Sequence, residues 1–375
     1  MSGATVGALA TTIAEAFPHQ WAEPWDRVGL LAGDPQAPAG PVLVALDPTL
    51  ATLAAAKALG ARSVLTHHPA FLETPVPVPG FGPAGVVFTA LAEGIALVAA
   101  HTNLDRSPEG GDALALALGL TIVEPLERST QPIEVVTVYA PPDAAESLAA
   151  AMTGAGAGRI GLYEGCSFAA DGQAHFTPRE GASPCAGVPE AGTAGPLRAG
   201  SLATGEIRLE MVASPGSGAQ VAAAARLAHP YEEPLITVVA GSMTRSSARL
   251  GRLCELPRAM SLAALAASAG EALGCRPRFW GDPDTPVGLV ATAPGSGGSL
   301  ITDAMEAGAT VLLTGELRYH DALNALDAGL VVIEAGHDAT EWPMVPILAR
   351  TAARTPGLAH DDVVVAKHPT LWRTA

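Results

Sequence analysis

The 375-residue chain is poor in lysine, aromatics and cysteine. Lys57 and Lys367 are its only lysines, and 21 Lys+Arg stand against 37 Asp+Glu, for a formal net charge of -16 at pH 7. A chain this acidic, without a basic run, is repelled by phosphate backbones, so nucleic acid is not expected as a partner. No stretch approaches 18 uninterrupted apolar residues, and Met1 to Pro18 has neither a positive n-region nor a long apolar h-region. The expectation is a cytoplasmic protein without a membrane partner. Cys166, Cys185, Cys254 and Cys275 never approach C-x-x-C spacing, which points to reduced thiols rather than a disulfide framework or a thiolate zinc site. Any metal must then be held by histidine and carboxylates. Aromatics make up only 4% of a chain that is 49% hydrophobic, so the core must pack through aliphatic side chains and alanine.

Equally absent are a G-x-x-x-x-G-K-[ST] loop, a G-x-S-x-G elbow and a cysteine–histidine motif, and Gly295-Ser296-Gly297-Gly298 is not a G-x-G-x-x-G fingerprint. What is present is Thr66-His67-His68-Pro69, closing the apolar run Ser63-Val64-Leu65. Neutral imidazole brings one donor and one acceptor, and burial leaves both wanting partners. Backbone and water would satisfy them in one reading; in the other, the pair addresses two nearby metal ions from the carboxyl end of a strand, where chemistry in open α/β sheets collects.

The surrounding pattern is rhythmic. Val42 to Leu46 is an apolar run ending in Asp47, Thr49 to Leu59 is alanine-rich and helical, and Ser63 to Leu65 is the next strand, which together make a βαβ unit. After the proline-rich loop Pro75 to Pro83 and a helix near Ala84 to Glu93, the strand Ile95 to Ala100 ends in His101-Thr102-Asn103-Leu104-Asp105. Parallel strands would put Asp47, His67-His68, and His101 with Asp105 on one sheet edge. From Gln131 the order becomes β-α-β-β-α-β, through Ile133 to Tyr139, Pro142 to Met152, Arg159 to Phe176, Glu206 to Val212, Gly216 to Leu227 and Leu235 to Val239, with a Gly/Pro/Ala-rich loop at Pro178 to Gly200. That order is the ferredoxin-like split motif. The βα rhythm returns after Arg249, with strands at Val287 to Thr292, Thr310 to Leu313 and Leu330 to Ile333, the last ending in Gly336-His337. The predicted fold is therefore α/β: two similar αβα lobes form one core domain, residues 1–128 and 246–375, interrupted by an α+β insert at 129–245.

His337 and Glu341 lie four apart where a helix should begin, so they share a face. With His67, His68 and Asp105 they give three imidazoles and two carboxylates. These are too few for two closed tetrahedral sites unless something bridges, and Glu341 is the candidate bridge. Nitrogen and oxygen ligands without thiolate suit two divalent ions of Zn, Fe, Mn, Co or Ni. His101 is either a ligand or an orienter of one, and His320 is either a ligand or structural. Gly295-Ser296-Gly297-Gly298, between a strand and a helix, is either a phosphate cradle or a tight connection.

In this order Thr66-His67-His68-Pro69, His101 to Asp105, Gly295 to Gly298, Thr314-Gly315-Glu316 and Gly336 to Glu341 resemble the Nif-three-like dinuclear metal centre hexameric proteins, whose members carry the name GTP cyclohydrolase 1 type 2 homolog. The resemblance covers the whole chain. It implies that His67, His68, Asp105, His337 and Glu341 are metal ligands, that the subunits close into a homo-hexamer, as a toroid or trimer of dimers, and that the insert, with His229-Pro230-Tyr231-Glu232-Glu233-Pro234, is PII/CutA-like. Arg27 departs from the Asn that many members carry after the Trp-Asp pair. The reading is a metal-dependent hydrolase of a nucleotide or other small phosphorylated metabolite, with a hydroxide bridging the metals and His101 behind it. Its rival is a non-enzymatic, metal-binding regulatory hexamer with a ligand-sensing insert.

Overall fold

Three short runs, Val42–Ala45 (β2), Ser63–Thr66 (β3) and Ala96–Ala99 (β4), are buried at every position. In the computed structural model, which describes residues 3–128, 130–161, 163–177, 179–180, 182, 202–245 and 248–368, they pair in parallel. Gly29–Ala32 (β1) runs antiparallel beside β4 at the sheet edge. A strand buried on both faces needs helical cover. The crossover helices Leu50–Leu59 and Gly82–Ala92 supply it on one face and the helices Val6–Ala16 and Val345–Ala352 on the other, and Thr49 and Gly60 cap Leu50–Leu59. Because β2, β3 and β4 run the same way, Asp47, His67-His68 and His101 leave the sheet at one edge.

Thr121–Pro125 (β5) leads into a second compact unit, Ser129–Ser246; the first comprises Met1–Arg128 with Ser247–Ala375. The second unit consists of Thr130–Ala140 (β6), Ser167–Phe176 (β7), Leu202–Ala213 (β8) and Ile236–Thr244 (β9), with helices Ala145–Gly154 and Gly218–Ala228. Its antiparallel sheet has the order β7-β8-β6-β9, the ferredoxin-like arrangement. Val136, Val138, Leu209 and Met211 pack with Leu148, Met152 and Val221 in a core of its own. Most of the Pro178 to Gly200 loop lies outside the described residues.

Returning to the first unit, Arg252–Ser261 (β10), Arg278–Trp280 (β11), Pro286–Ser296 (β12), Ala309–Glu316 (β13) and Val331–Glu334 (β14) join β5 in a sheet of order β11-β14-β13-β12-β10-β5. Strands β12, β13 and β14 are parallel, with β11 antiparallel at the edge. This repeats the plan of β1 with β4, β3 and β2, so the two lobes are alike. Val363–Val365 (β15) then crosses back to pair with β2 of the first sheet. The sequence reading contained no β1, β5, β10, β11 or β15. These lie toward the sheet margins; residues such as Glu124, Pro125, Glu255 and Pro257 break the apolar pattern of β5 and β10, and β1 and β15 are runs of only four and three residues. Among the described residues no helix is long and apolar enough to cross a membrane.

One buried cation ties the lobes together. Arg106, in the short helix Thr102–Arg106, grips Glu127 through Nε (3.1 Å) and Nη2 (2.8 Å), and also reaches Glu23 (2.6 Å) and the Trp21 carbonyl (3.2 Å). Glu127 in turn accepts from the Leu250 amide at 2.8 Å, at the start of the second lobe. Removing one partner of such a pair leaves a buried, uncompensated charge. Arg106→Met is therefore expected to cost about 3–5 kcal/mol of stability, read as a lowered urea midpoint; a loss below about 1 kcal/mol, the range of exposed pairs, would show that the pair does not hold the lobes.

Candidate metal centre

The strand ends bring His67, His68, His101, Asp105, His337 and Glu341 into one cluster within the first unit. Ring centroids of His67 and His68 are 5.1 Å apart, those of His67 and His101 5.2 Å, and those of His68 and His337 5.4 Å. Two groups of three have ligand atoms within 4.8 Å of one another: His67, His68 and His101, and His68, His337 and Glu341. Asp105 joins from the helix after β4, with Oδ1 3.4 Å from His67 Nε2.

Each imidazole is fixed by an oxygen behind it. Nδ1 of His67 stands 3.1 Å from the Ala100 carbonyl, that of His68 2.7 Å from Asp47, that of His101 2.9 Å from Asp26, and that of His337 3.1 Å from Glu316. A carbonyl or carboxylate can only accept, so Nδ1 carries the proton and Nε2 is left to the cluster. This is the orientation that metal-binding histidines adopt.

Glu341 lies at the centre. Its Oε1 is 3.1 Å from His337 Nε2 and 3.7 Å from His67 Nε2, while its Oε2 is 3.0 Å from His68 Nε2. One carboxylate thus spans both groups. Gly295 and Gly315 make room for it: a Cβ on Gly295, whose φ is +64°, would meet Glu341 Oε1 at 2.2 Å, and one on Gly315 would meet the Gly295 carbonyl at 2.5 Å and His337 Cα at 2.7 Å. The Gly-rich run is there for close backbone approach. The helix that follows it, Ile301–Glu306, is too short to serve as an anion-binding terminus.

Three buried polar atoms converge without a hydrogen bond: His67 Nε2, Asp105 Oδ1 and Glu341 Oε2. Two are near an imidazole, but the contacts are not aligned as hydrogen bonds. Leaving three such atoms unsatisfied costs stability unless a cation takes them up. Nitrogen and carboxylate donors in this number suit divalent transition metals, so the residues fit the group that the sequence implied.

The charges agree with this. Burial lowers His68, but its hydrogen bond to Asp47 and the nearby Glu341 carboxylate outweigh it and raise it to about 10. His337 is raised to about 9, chiefly by Glu341. Burial would raise Glu341, yet the three imidazoles hold it well below its ordinary value. Burial opposes charge on Asp26 too, but His101 and Thr102 hold it at about 2.

Of the sites expected from sequence, His67, His68, Asp105, His337 and Glu341 all meet here, and His101 stands inside the cluster. His320 does not. It is exposed on the helix Tyr319–Asp327, edge-on to Tyr319. Arg27 turns back to the Asp26 carbonyl at 3.2 Å. The orienting acids Asp26, Asp47 and Glu316 had no assigned role; for Asp47 and Glu316 the available signal was their position at strand ends, like the histidines. A cavity of about 570 Å³ opens beside His68 and His337, and Asp47, Arg276, Arg278, Glu316 and Glu334 also line it.

Without metal, His68 and His337 hold their protons well above neutrality. The folded values of His68 and His337 lie above their ordinary 6.5, so their contribution to stability is complete below about pH 6.5 and is lost as pH climbs through 9 and 10. The melting temperature of chelator-treated protein is expected to fall across that window, and His68→Gln should flatten the slope. A pH-independent melting temperature in the chelated wild type would contradict the charge assignment.

A family model described as Duf34/NIF3 (NGG1p interacting factor 3) matches residues 4–365. A Mycobacterium leprae protein named GTP cyclohydrolase 1 type 2 homolog is 36% identical over 337 residues, covering 88% of this chain and 84% of its own. A Bacillus subtilis protein of the same name is 34% identical, covering 85% and 84%. The crystal structure of a Bacillus cereus protein related to NIF3 superposes with a TM-score of 0.70 at 27% identity, covering all of both chains. With the family model spanning nearly its whole length, the chain belongs to the Duf34/NIF3 family.

Proposed function

We propose that this protein is a dinuclear metal-dependent hydrolase acting on a nucleotide or other small phosphorylated metabolite. The observation that carries the reading is the set of four imidazoles, each with Nδ1 on an oxygen acceptor, around a carboxylate that reaches three of them. His67 and Asp105 would hold one ion, His68 and His337 the other, with Glu341 shared between them. Two divalent ions, when bound, act as Lewis acids that lower the pKa of water and polarise phosphoryl oxygens.

The remaining work falls to the protein's own side chains. Asp47, Glu316 and Asp26 keep the protons of His68, His337 and His101 on Nδ1, so each Nε2 stays available. His67, with no exposed side-chain surface, closes the inner end, whereas His337, 37% exposed, meets the cavity through which substrate enters. A volume near 570 Å³ suits a metabolite rather than a polymer. The name shared by the mycobacterial and Bacillus relatives favours a nucleotide. We further propose that the chain works as a homo-hexamer; a monomer in light scattering would remove that element alone.

Elemental analysis of purified protein is expected to find about two transition-metal ions per chain, and the double variant His337→Ala/Glu341→Ala to lose most of both. Chelation should abolish hydrolysis of GTP or of a simple phosphomonoester, and metal should restore it. Full metal in the double variant would refute the site; chelation-resistant hydrolysis would refute the mechanism.

A further inference from the structure

The cavity beside the cluster has a second wall. Arg276 and Arg278, two apart in the stretch entering β11, line it together with His68 and His337, and side chains two apart on an extended chain share a face. In a chain with so few basic residues for its acids, this pair stands out.

Arg278 is held in an unusual way. Its Nε and Nη2 both donate to Glu334, at 2.8 and 2.9 Å. Glu334 also accepts from Trp280 Nε1 at 2.6 Å and from the Leu317 amide at 2.9 Å. All the lone-pair directions of that carboxylate are thereby used. The Glu334 side chain is 3% exposed and that of Arg278 70%. A surface arginine ordinarily loses considerable rotamer freedom when it binds something; this one has lost it already, and its Nη1 makes no hydrogen bond among the described residues. A planar guanidinium fixed at one edge and open at the other is suited to gripping an oxyanion.

The cavity's carboxylates do not oppose this. Asp47 is engaged by His68, Glu316 by His337, Glu334 by Arg278, and Asp338 by His368 at 3.3 Å. A negatively charged group entering the cavity therefore meets acids that are already engaged, and the open edge of the Arg278 guanidinium with Arg276 beside it.

We propose that Arg278, seconded by Arg276, is the specificity-determining anchor for an oxyanion of the substrate, so that the substrate is a small organic anion spanning the cavity from this wall to the metal cluster. This rests on the metal-site reading above and adds to it the side chain that holds the substrate's charged group. A phosphate ester and a carboxylate share the recognising chemistry, and the test separates them.

The experiment uses metal-loaded full-length protein, with inorganic phosphate and acetate as probes in calorimetric titrations and p-nitrophenyl phosphate as substrate. For Arg278→Gln the dissociation constant of phosphate and the KM of the ester are expected to rise about tenfold or more, the scale of a lost charge-assisted hydrogen-bond pair. The kcat should change less than threefold and metal content not at all. Arg276→Gln, which leaves Glu334 fully bonded, should give a smaller rise in the same direction, and this variant keeps the test valid if Arg278→Gln fails to fold. Arg278→Lys should recover part of the affinity. A rise for acetate in place of phosphate would support the anchor and assign a carboxylate substrate. Unchanged affinity for both probes in both glutamine variants, with metal retained, would overturn the anchor while leaving the metal site standing. Loss of metal in Arg278→Gln would also overturn it, by making the arginine structural.

Discussion

The site exists only because the carboxyl edges of two separate parallel sheets are held face to face, and a buried guanidinium does much of the holding. Arg106 directly follows the cluster residue Asp105. Its side chain joins Glu23 and the Trp21 carbonyl, which precede the first sheet, to Glu127, which leads out of the second. Arg252 repeats the device in reverse, reaching from β10 to Asp112 and to the carbonyls of Ser107 and Pro108. Gly111 lets it pass, since a Cβ there would stand 2.3 Å from the Arg252 guanidinium. Apolar residues could supply equal or greater stability at such a seam. They would not fix its register, whereas paired, directional bonds allow one alignment of the lobes, and the cluster tolerates only one.

That alignment explains which parts of the protein could be read from the sequence. His67, His68 and Asp105 follow buried apolar strands, and His337 and Glu341 stand four apart at a helix start, so local patterns suffice to place them at a sheet edge. The same holds for the βαβ rhythm and the ferredoxin-like order of the second unit. What local patterns do not contain is pairing over distance. Asp26 meets His101 across 75 positions, and Glu316 meets His337 across 21. Glu316 is marked only by its place at a strand end and Asp26 by nothing local, and only the folded chain shows that each aims an imidazole. β15 was illegible for a related reason: three valines near the end of the chain say nothing about the sheet they will extend.

Gly295 and Gly315 show how a correct motif can carry an ambiguous meaning. A glycine-rich turn between strand and helix fits a phosphate cradle and a tight backbone crossing equally well. The distinction lies in what a side chain there would strike, and the answer is Glu341 and the backbone around His337. The glycines therefore belong to the metal centre itself, because the central carboxylate is packed against bare backbone.

Packing of that kind bears on how the centre can work. Glu341 sits against Gly295, and Thr340 beside it donates to the carbonyls of Gly336 and His337 while accepting from the Gly295 amide at 3.0 Å. The helix His337–Glu341 is thus tied to β12 through Thr340 and opens at Gly336, whose φ is +97°. A carboxylate packed this closely against Gly295 has little room to swing away, so its place between the two groups is set by β12 and β13, while the spacing of the histidines is set by the ends of β3, β4 and β14. Freedom remains at the other side, where His337 is partly exposed and the cavity begins. The fold therefore places rigidity where charge must be held in common and openness where a substrate must arrive. This division follows from building the centre on the ends of buried strands and lining its entrance from an edge strand, β11, whose side chains face outward.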